Sequence, residues 1–319
     1  MGEFDLIERY FKRPPQQADV GIGDDCAVWS PRPGHQWAFS ADMLVEGRHF
    51  LSTVPTDRLG HKALAVNLSD LAACGATPQA FLLSLALPRV DEAWLAGFSK
   101  GLFDLAEAHG CELMGGDTTQ GPLNIAITVM GDMPLGAAIL RSGAQVGDDL
   151  YVSGHLGDAR LALEAFRGTV SLPQAVFDIA RLRMEAPTPR IALGQSLRGV
   201  AHAMVDISDG LLGDLGHLLK ASHVGAEIEW SLAAPLMQTC ALWDCPHELA
   251  MTCVLSGGDD YELVFCAPPS AAELVHTAAR ASQTPVTRIG RITASPSLVV
   301  LDASGRPVAG QFRSFDHFA

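Results

Sequence analysis

Four of the stretches in this chain that set glycine beside carboxylate stand out: Gly21-Ile22-Gly23-Asp24-Asp25, Gly115-Gly116-Asp117, Asp206-Ile207-Ser208-Asp209-Gly210 and Gly257-Gly258-Asp259-Asp260. Carboxylate oxygens are what hard cations such as magnesium prefer, and glycine admits unusual backbone angles and the close approach of a phosphate. Asp42, after an apolar run, and Asp70, three residues past Asn67, add two more carboxylates. Oxygen donors alone suit magnesium, calcium or manganese; zinc would want His or Cys beside them, and EF-hand spacing is absent. Magnesium usually binds through one or two carboxylates plus substrate phosphates and water, so a nucleotide is the expected ligand.

The standard nucleotide loops are missing. There is no G-x-x-x-x-G-K-[ST], no protein-kinase V-A-I-K or H-R-D set, and no G-x-S-x-G elbow. ATP would therefore be held through several magnesium ions rather than a lysine cradle, with Arg141 the nearest candidate for a direct phosphate fork. A net charge of -14, from 22 Lys and Arg against 36 Asp and Glu, leaves no basic footprint for nucleic acid. The seven cysteines are scattered, with no C-x-x-C pair, as expected of reduced, packed thiols. Residues 1–13 resemble neither a signal peptide nor an anchor, and no apolar run reaches the roughly 18 residues of a membrane span. These features predict a cytoplasmic protein with no membrane or nucleic-acid partner.

At 319 residues, 48% of them hydrophobic, the chain is long enough for two domains with their own cores. A shift to Gly, Ala and Ser around 134–146 places the boundary, giving domains 1–137 and 138–319. In the first, the patterns predict a helix over 3–11, strands over 26–29 and 36–40, the latter ending in Ser40-Ala41-Asp42, and a helix over 56–73 that puts Asn67 and Asp70 on one face. A strand over 80–87 follows, then a helix capped by Asp91 with Trp94, Phe98, Leu102 and Leu105 on its apolar stripe. A strand over 111–114 runs into a Gly-Gly-Asp turn before a strand over 123–130. This order implies an α+β layer with helices on one face of a mixed sheet.

The second half opens with a strand over 150–153, a Gly154-x-x-Gly157 turn and a helix from Asp158, an arrangement weakly suited to phosphate approach. A helix over 190–198 and a strand over 203–207 lead to the third acidic stretch, where Ser208 or Asp209 would cap a helix over 211–221 and Asp206 is left without a structural role. A strand over 261–265 alternates Tyr261, Leu263 and Phe265 against Glu262. Strands over 287–292 and 298–301 close the chain before a tail rich in Phe and His.

Gly-Ile-Gly-Asp-Asp-Cys-Ala (21–27), Lys-Ala-Leu-Ala-Val-Asn-Leu-Ser-Asp-Leu-Ala-Ala (62–73), Gly-Gly-Asp-Thr (115–118), Asp-Ile-Ser-Asp-Gly-Leu (206–211) and Gly-Gly-Asp-Asp-Tyr-Glu-Leu (257–263) together resemble the thiamine-monophosphate kinase family. That family belongs to a superfamily with an aminoimidazole-ribonucleotide-synthetase-like fold. The resemblance implies an N-terminal α+β domain whose mixed sheet forms an intersubunit barrel in a homodimer, and a C-terminal α/β domain. It implies magnesium ligands at Asp25, Ser40, Asp42, Asp70, Asp117, Asp206 and Asp209. ATP contacts are implied at Gly116, Asp117, Arg141 and Ser208, and thiamine monophosphate contacts at His49, Glu262 and Phe315. Ala41 departs from a position where the family often has Thr, and Phe103 from one where Tyr is common.

The implied reaction suits these residues. A phosphate acceptor is already largely ionised at neutral pH, its second pKa being about 6, so it needs no general base. The demand is to align two polyanions and stabilise the transferring phosphoryl, which is work for carboxylate-held magnesium. Rival readings are another synthetase of the superfamily, of selenophosphate or aminoimidazole-ribonucleotide type, or a non-catalytic acidic nucleotide or metal binder. A Cys-Lys pair near the N-terminus would favour the selenophosphate reading, and Cys26 has no adjacent Lys.

Overall fold

A computed structural model of the chain describes residues 2–308. It divides into two compact units, one formed by the chain up to Leu71 with Ala76–Gly136, the other by Ala72–Gly75 and the chain from Ala137 onward.

The first unit runs α1 (Glu3–Leu6), β1 (His35–Val45), α2 (Thr56–Ala73), β2 (Thr77–Leu87), α3 (Glu92–Ala108), β3 (Glu112–Gln120) and β4 (Asn124–Pro134). The sheet has the order β1-β4-β2-β3, antiparallel except for β2 with β3, which α3 joins as a crossover. Asp91 caps α3 as its spacing predicts, accepting the amides of Ala93 and Trp94 at 3.1 Å, a bond worth about 1 kcal/mol. Leu64 and Leu68 of α2, Phe81 of β2 and Phe98 of α3 are fully buried on one side of the sheet. Each such side chain contributes about 2 kcal/mol of apolar burial. The other side stays open: Phe39 is 66% exposed, Met43 55% and Leu82 36%.

Two elements outrun their sequence signals. β1 continues through Val45, so Asp42 lies within a strand, not at its end. β3 continues through Gly115-Gly116-Asp117 after a bulge at Met114, where the glycines predict a turn. In both cases a full-length partner supplies the ladder hydrogen bonds, which outweigh local propensity: β4 beside β1 and β2 beside β3. Conversely, the strand expected over 26–29 reduces to a bridge between Val20 and Val28 that closes the Gly21–Asp25 loop.

The second unit contains β5 (Asp149–Ser153), α4 (Asp158–Phe166), α5 (Gln174–Glu185), α6 (Ile191–Ser196), β6 (Ala203–Ile207), α7 (Leu211–Ser222), β7 (Gly225–Glu229), α8 (Trp230–Ala233), α9 (His247–Ser256), β8 (Glu262–Ala267), α10 (Ala272–Ala281), β9 (Val286–Thr293) and β10 (Leu298–Leu301). Its mixed sheet has the order β10-β7-β9-β5-β8-β6, with β10 and β7 parallel and the rest antiparallel. Leu150, Val152, Ile207, Leu211, Leu215 and Val254 belong to its core. Among the described residues, no helix is long and apolar enough to cross a membrane.

Candidate functional site

In the first unit, two side chains of α2 reach the edge strand β1. Alternation puts Ser40, Asp42 and buried Leu44 on the helix side of that strand. The Ser40 hydroxyl donates to Asp70 Oδ2 at 2.5 Å, and the Asp42 amide donates to Asn67 Oδ1 at 3.0 Å. Asn67 is itself fixed, its Nδ2 donating to Ala63 O at 3.0 Å, and is only 1% exposed. Asn67 and Asp70 are thus not a solvated helix face. They satisfy an edge strand and hold three acidic or hydroxyl side chains beside one another. Ala41 points to the opposite, open face of the sheet, away from Ser40 and Asp42.

Other residues of this unit stand elsewhere. Asp24 and Asp25 lie on an exposed loop, where Asp24 Oδ1 accepts the Asp25 amide at 2.8 Å. Asp117 is exposed on β3 and pairs with Ser84. Gly116 has a φ of 145°, and a Cβ there would meet Leu83 O at 1.8 Å, so the strand pairing alone requires glycine. His49 folds back after β1, its Nδ1 accepting the Val45 amide at 3.0 Å. In the neutral ring this leaves the proton on Nε2, a donor. Phe103 is buried, with the Arg13 guanidinium 4.3 Å from its ring centre.

In the second unit, β6 delivers Asp206 and the following turn carries Ser208 and Asp209. Asp206 is 5% exposed, whereas Ser208 and Asp209 are partly open. Neither Ser208 nor Asp209 caps α7, contrary to the expectation from sequence. Gly210 occupies the cap position with no side-chain bond. Asp214, inside the helix, reaches back so that its Oδ2 accepts the amides of Ser208, Asp209 and Gly210 at 3.0, 3.0 and 3.1 Å. Burial pushes the Asp214 carboxyl up to about 6, partly offset by these bonds.

The last acidic stretch packs against this turn. The amides of Asp259 and Tyr261 donate to the carbonyls of Ser208 and Ile207 at 2.8 and 2.9 Å. Both residues have positive φ, 71° and 52°, a conformation costing about 1 kcal/mol or more for a non-glycine residue. The two aspartates of the doublet separate: Asp259 is half-buried beside the Ser208 turn, while Asp260 is 2% exposed and accepts the Gly157 amide with both oxygens, at 3.1 and 3.0 Å. Burial holds the Asp260 carboxyl well above the usual range. Sequence reasoning did not single out Asp259, because a doublet does not say which member faces inward.

Glu262 is fully buried. Arg190 grips it with two bonds of 2.6 Å, Arg183 donates at 2.7 Å and Ser153 Oγ at 2.7 Å, and the His155 amide donates at 3.3 Å. Gly154 makes room for it: a Cβ there would lie 1.9 Å from Glu262 Oε1. The Gly154-x-x-Gly157 turn is thereby occupied by Glu262 and Asp260. Arg141 is exposed, just after Leu140, whose carbonyl accepts the Met204 amide at the start of β6. Phe315 lies outside the described residues.

All these donors are oxygens, which fits magnesium and not zinc. Among the described residues, no group of three or more His, Cys, Asp or Glu is arranged to hold a metal by itself. The carboxylates come singly or in pairs. That pattern fits magnesium carried by phosphates, which takes one or two protein carboxylates and completes its shell with phosphate and water.

Comparison with known proteins bears on the same regions. The family of AIR synthase related proteins matches through its N-terminal domain over residues 23–133 and its C-terminal domain over 145–303. The thiamine-monophosphate kinase of Escherichia coli O157:H7 is 43% identical over 322 aligned positions, spanning 100% of this chain and 98% of that protein. The crystal structure of thiamine-monophosphate kinase from Stenotrophomonas maltophilia K279a superposes with a TM-score of 0.85 at 41% identity, covering 96% of each chain. AaThiL, solved in complex with AMPPCP and TMP, superposes with a TM-score of 0.76 at 30% identity, covering 99% of this chain and 96% of that one.

Proposed function

The chain belongs to the thiamine-monophosphate kinase family of AIR synthase related proteins, and we propose that it transfers the γ-phosphoryl group of ATP directly and in line to thiamine monophosphate, giving thiamine diphosphate and ADP. The observation that carries this reading is collinear identity with thiamine-monophosphate kinases over the full length of the chain. A neighbour of the same fold holding AMPPCP and TMP together supports the choice of the two substrates.

The attacking group is an oxygen of the acceptor phosphate, ionised without help at neutral pH. Residues of this chain bind and orient. In the first unit Ser40, Asp42 and Asp70, with Asn67 steadying the strand, and Asp25 and Asp117 would hold magnesium; in the second, Asp206 and Asp209 would. Magnesium, when bound, supplies the charge neutralisation that lets two polyanions meet and spreads the charge of the transferring phosphoryl. Gly116, Ser208 and Arg141 serve ATP, Arg141 as a planar fork for phosphate oxygens. His49 offers its Nε2 proton to the substrate phosphate. Glu262 and Phe315 are the further contacts offered to thiamine monophosphate, Glu262 from a position enclosed by Arg183 and Arg190. The open apolar face of the first unit's sheet, bearing Phe39, Met43 and Leu82, serves a homodimer.

A coupled assay of ADP release tests the reading. Release should require thiamine monophosphate, ATP and magnesium together, and no release with all three present would refute it. Binding of ATP without turnover would favour the non-catalytic alternative.

A further inference from the structure

The turn carrying Asp206, Ser208 and Asp209 has no ladder of its own past Ile207, so its shape depends on what grips its amides and carbonyls. The carbonyls of Ile207 and Ser208 are held by the amides of Tyr261 and Asp259. The amides of Ser208, Asp209 and Gly210 all converge on one atom, Asp214 Oδ2. A side chain inside α7 that merely capped the helix would take the amide of the N-cap Gly210; Asp214 takes that amide and also those of Ser208 and Asp209, which lie outside the helix. Its grip therefore decides where the Ser208 and Asp209 side chains point. Asp214 is 6% exposed, so its carboxyl group is held inside the protein against this turn.

We propose that Asp214 is a positioning residue for the phosphoryl-transfer reaction, setting the 206–210 turn before metal-bound nucleotide arrives. The inference rests on the kinase reading above. It acts through hydrogen bonds to the turn, with no contact to substrate required. Preorganisation of this kind is paid in the folding of the apo protein, so binding the charged ligand need not order the loop.

The test uses the full chain with Asp214→Ala, Asp214→Asn and Asp214→Glu. Hydrogen exchange of the Ser208, Asp209 and Gly210 amides is followed without metal or nucleotide, and kcat and KM for magnesium-ATP are measured separately. Asp214→Ala should speed exchange of these three amides about tenfold or more and raise KM by a similar factor, as expected for the loss of bonds to a charged acceptor, with kcat changed much less. Asp214→Asn, which keeps an acceptor at the same reach, should restore most of the protection and most of the KM. If Asp214→Ala does not fold, Asp214→Glu decides: the charge remains but the acceptor is displaced by a methylene, and raised exchange with raised KM supports the proposal. Variants that melt earlier while keeping wild-type exchange at 208–210 and wild-type KM would reduce Asp214 to a stabilising residue and overturn it. Absence of turnover in the wild type would instead refute the kinase reading, while the exchange arm would still report whether Asp214 holds the turn.

Discussion

Ser40 Oγ donates to Asp70 Oδ2 at 2.5 Å, tying an edge strand to the helix that covers it. Two residues along the same edge, the Asp42 amide reaches Asn67. The Ser40 hydroxyl and the Asp70 carboxylate are therefore held against each other by a strand and a helix rather than by loops, and the backbone of Asp42 is held beside them.

Replacing either carboxylate by its amide keeps the shape and removes the charge. Asp42→Asn and Asp70→Asn should each lower kcat/KM by about a hundredfold or more, with melting temperatures close to wild type. Ser40→Ala should have a milder effect, about tenfold, the worth of one hydrogen bond to a charged group. Steady-state kinetics alongside thermal unfolding measures both; wild-type activity in both Asn variants would remove these carboxylates from the site.

Much of this was legible in the sequence, for physical reasons that particular residues make plain. The order of elements in the first unit follows from periodicity, and Asp91 announces the start of α3. The i, i+3 spacing of Asn67 and Asp70 revealed a shared face but not what covers it, because an edge strand's need for acceptors for its donors is a tertiary fact. Gly115 and Gly116 misled as turn residues, since pairing with β2 is invisible locally. α5, α9, α10 and β7 lacked clear start and stop signals and were not anticipated. In the second unit, sequence marked the acidic stretches at 206–210 and 257–260 but not their division of labour: Asp260 and the following Glu262 turn inward, Asp259 lies beside Ser208, and Asp214 holds the turn before α7, the helix that Ser208 or Asp209 was expected to cap.

The burial of Glu262 between Arg183 and Arg190 makes its removal a matter of stability as well as function. Glu262→Gln leaves two guanidiniums with no counter-charge in a closed site and should cost about 3 kcal/mol. Denaturant unfolding measures it. A variant with unchanged stability and only a raised KM for thiamine monophosphate would show instead that the side chain meets the substrate directly.

Asp260 predicts a pH signature. Because burial raises its folded-state pKa above the unfolded value, the folded protein holds this proton more tightly. The sign follows: as pH rises through the unfolded value of about 3.9, stability declines, and it goes on declining until the folded pKa is passed. Asp260→Asn, which can still accept the Gly157 amide, should gain stability relative to wild type as pH is raised from about 5 to about 8. A difference in melting temperature that does not change with pH would contradict the buried, proton-retaining state.

The apolar face formed by Phe39, Met43 and Leu82 gives a prediction about assembly. In register, Ala41 and Leu82 flank Thr128 on this face, and Phe39 sits opposite Met130, so the patch is continuous across β1, β4 and β2. Phe39→Glu combined with Met43→Lys should convert a dimer to a monomer, read by light scattering after size exclusion. A wild-type chain that is already monomeric at micromolar concentration would refute the homodimer.

The most direct measurement of the whole account is phosphorus NMR of the chain incubated with ATP, thiamine monophosphate and magnesium. The account predicts that the thiamine monophosphate resonance is replaced by the two coupled resonances of thiamine diphosphate, in step with the appearance of ADP, and that chelating the magnesium stops both. ADP or inorganic phosphate appearing without thiamine diphosphate, or no change in either substrate, would contradict it.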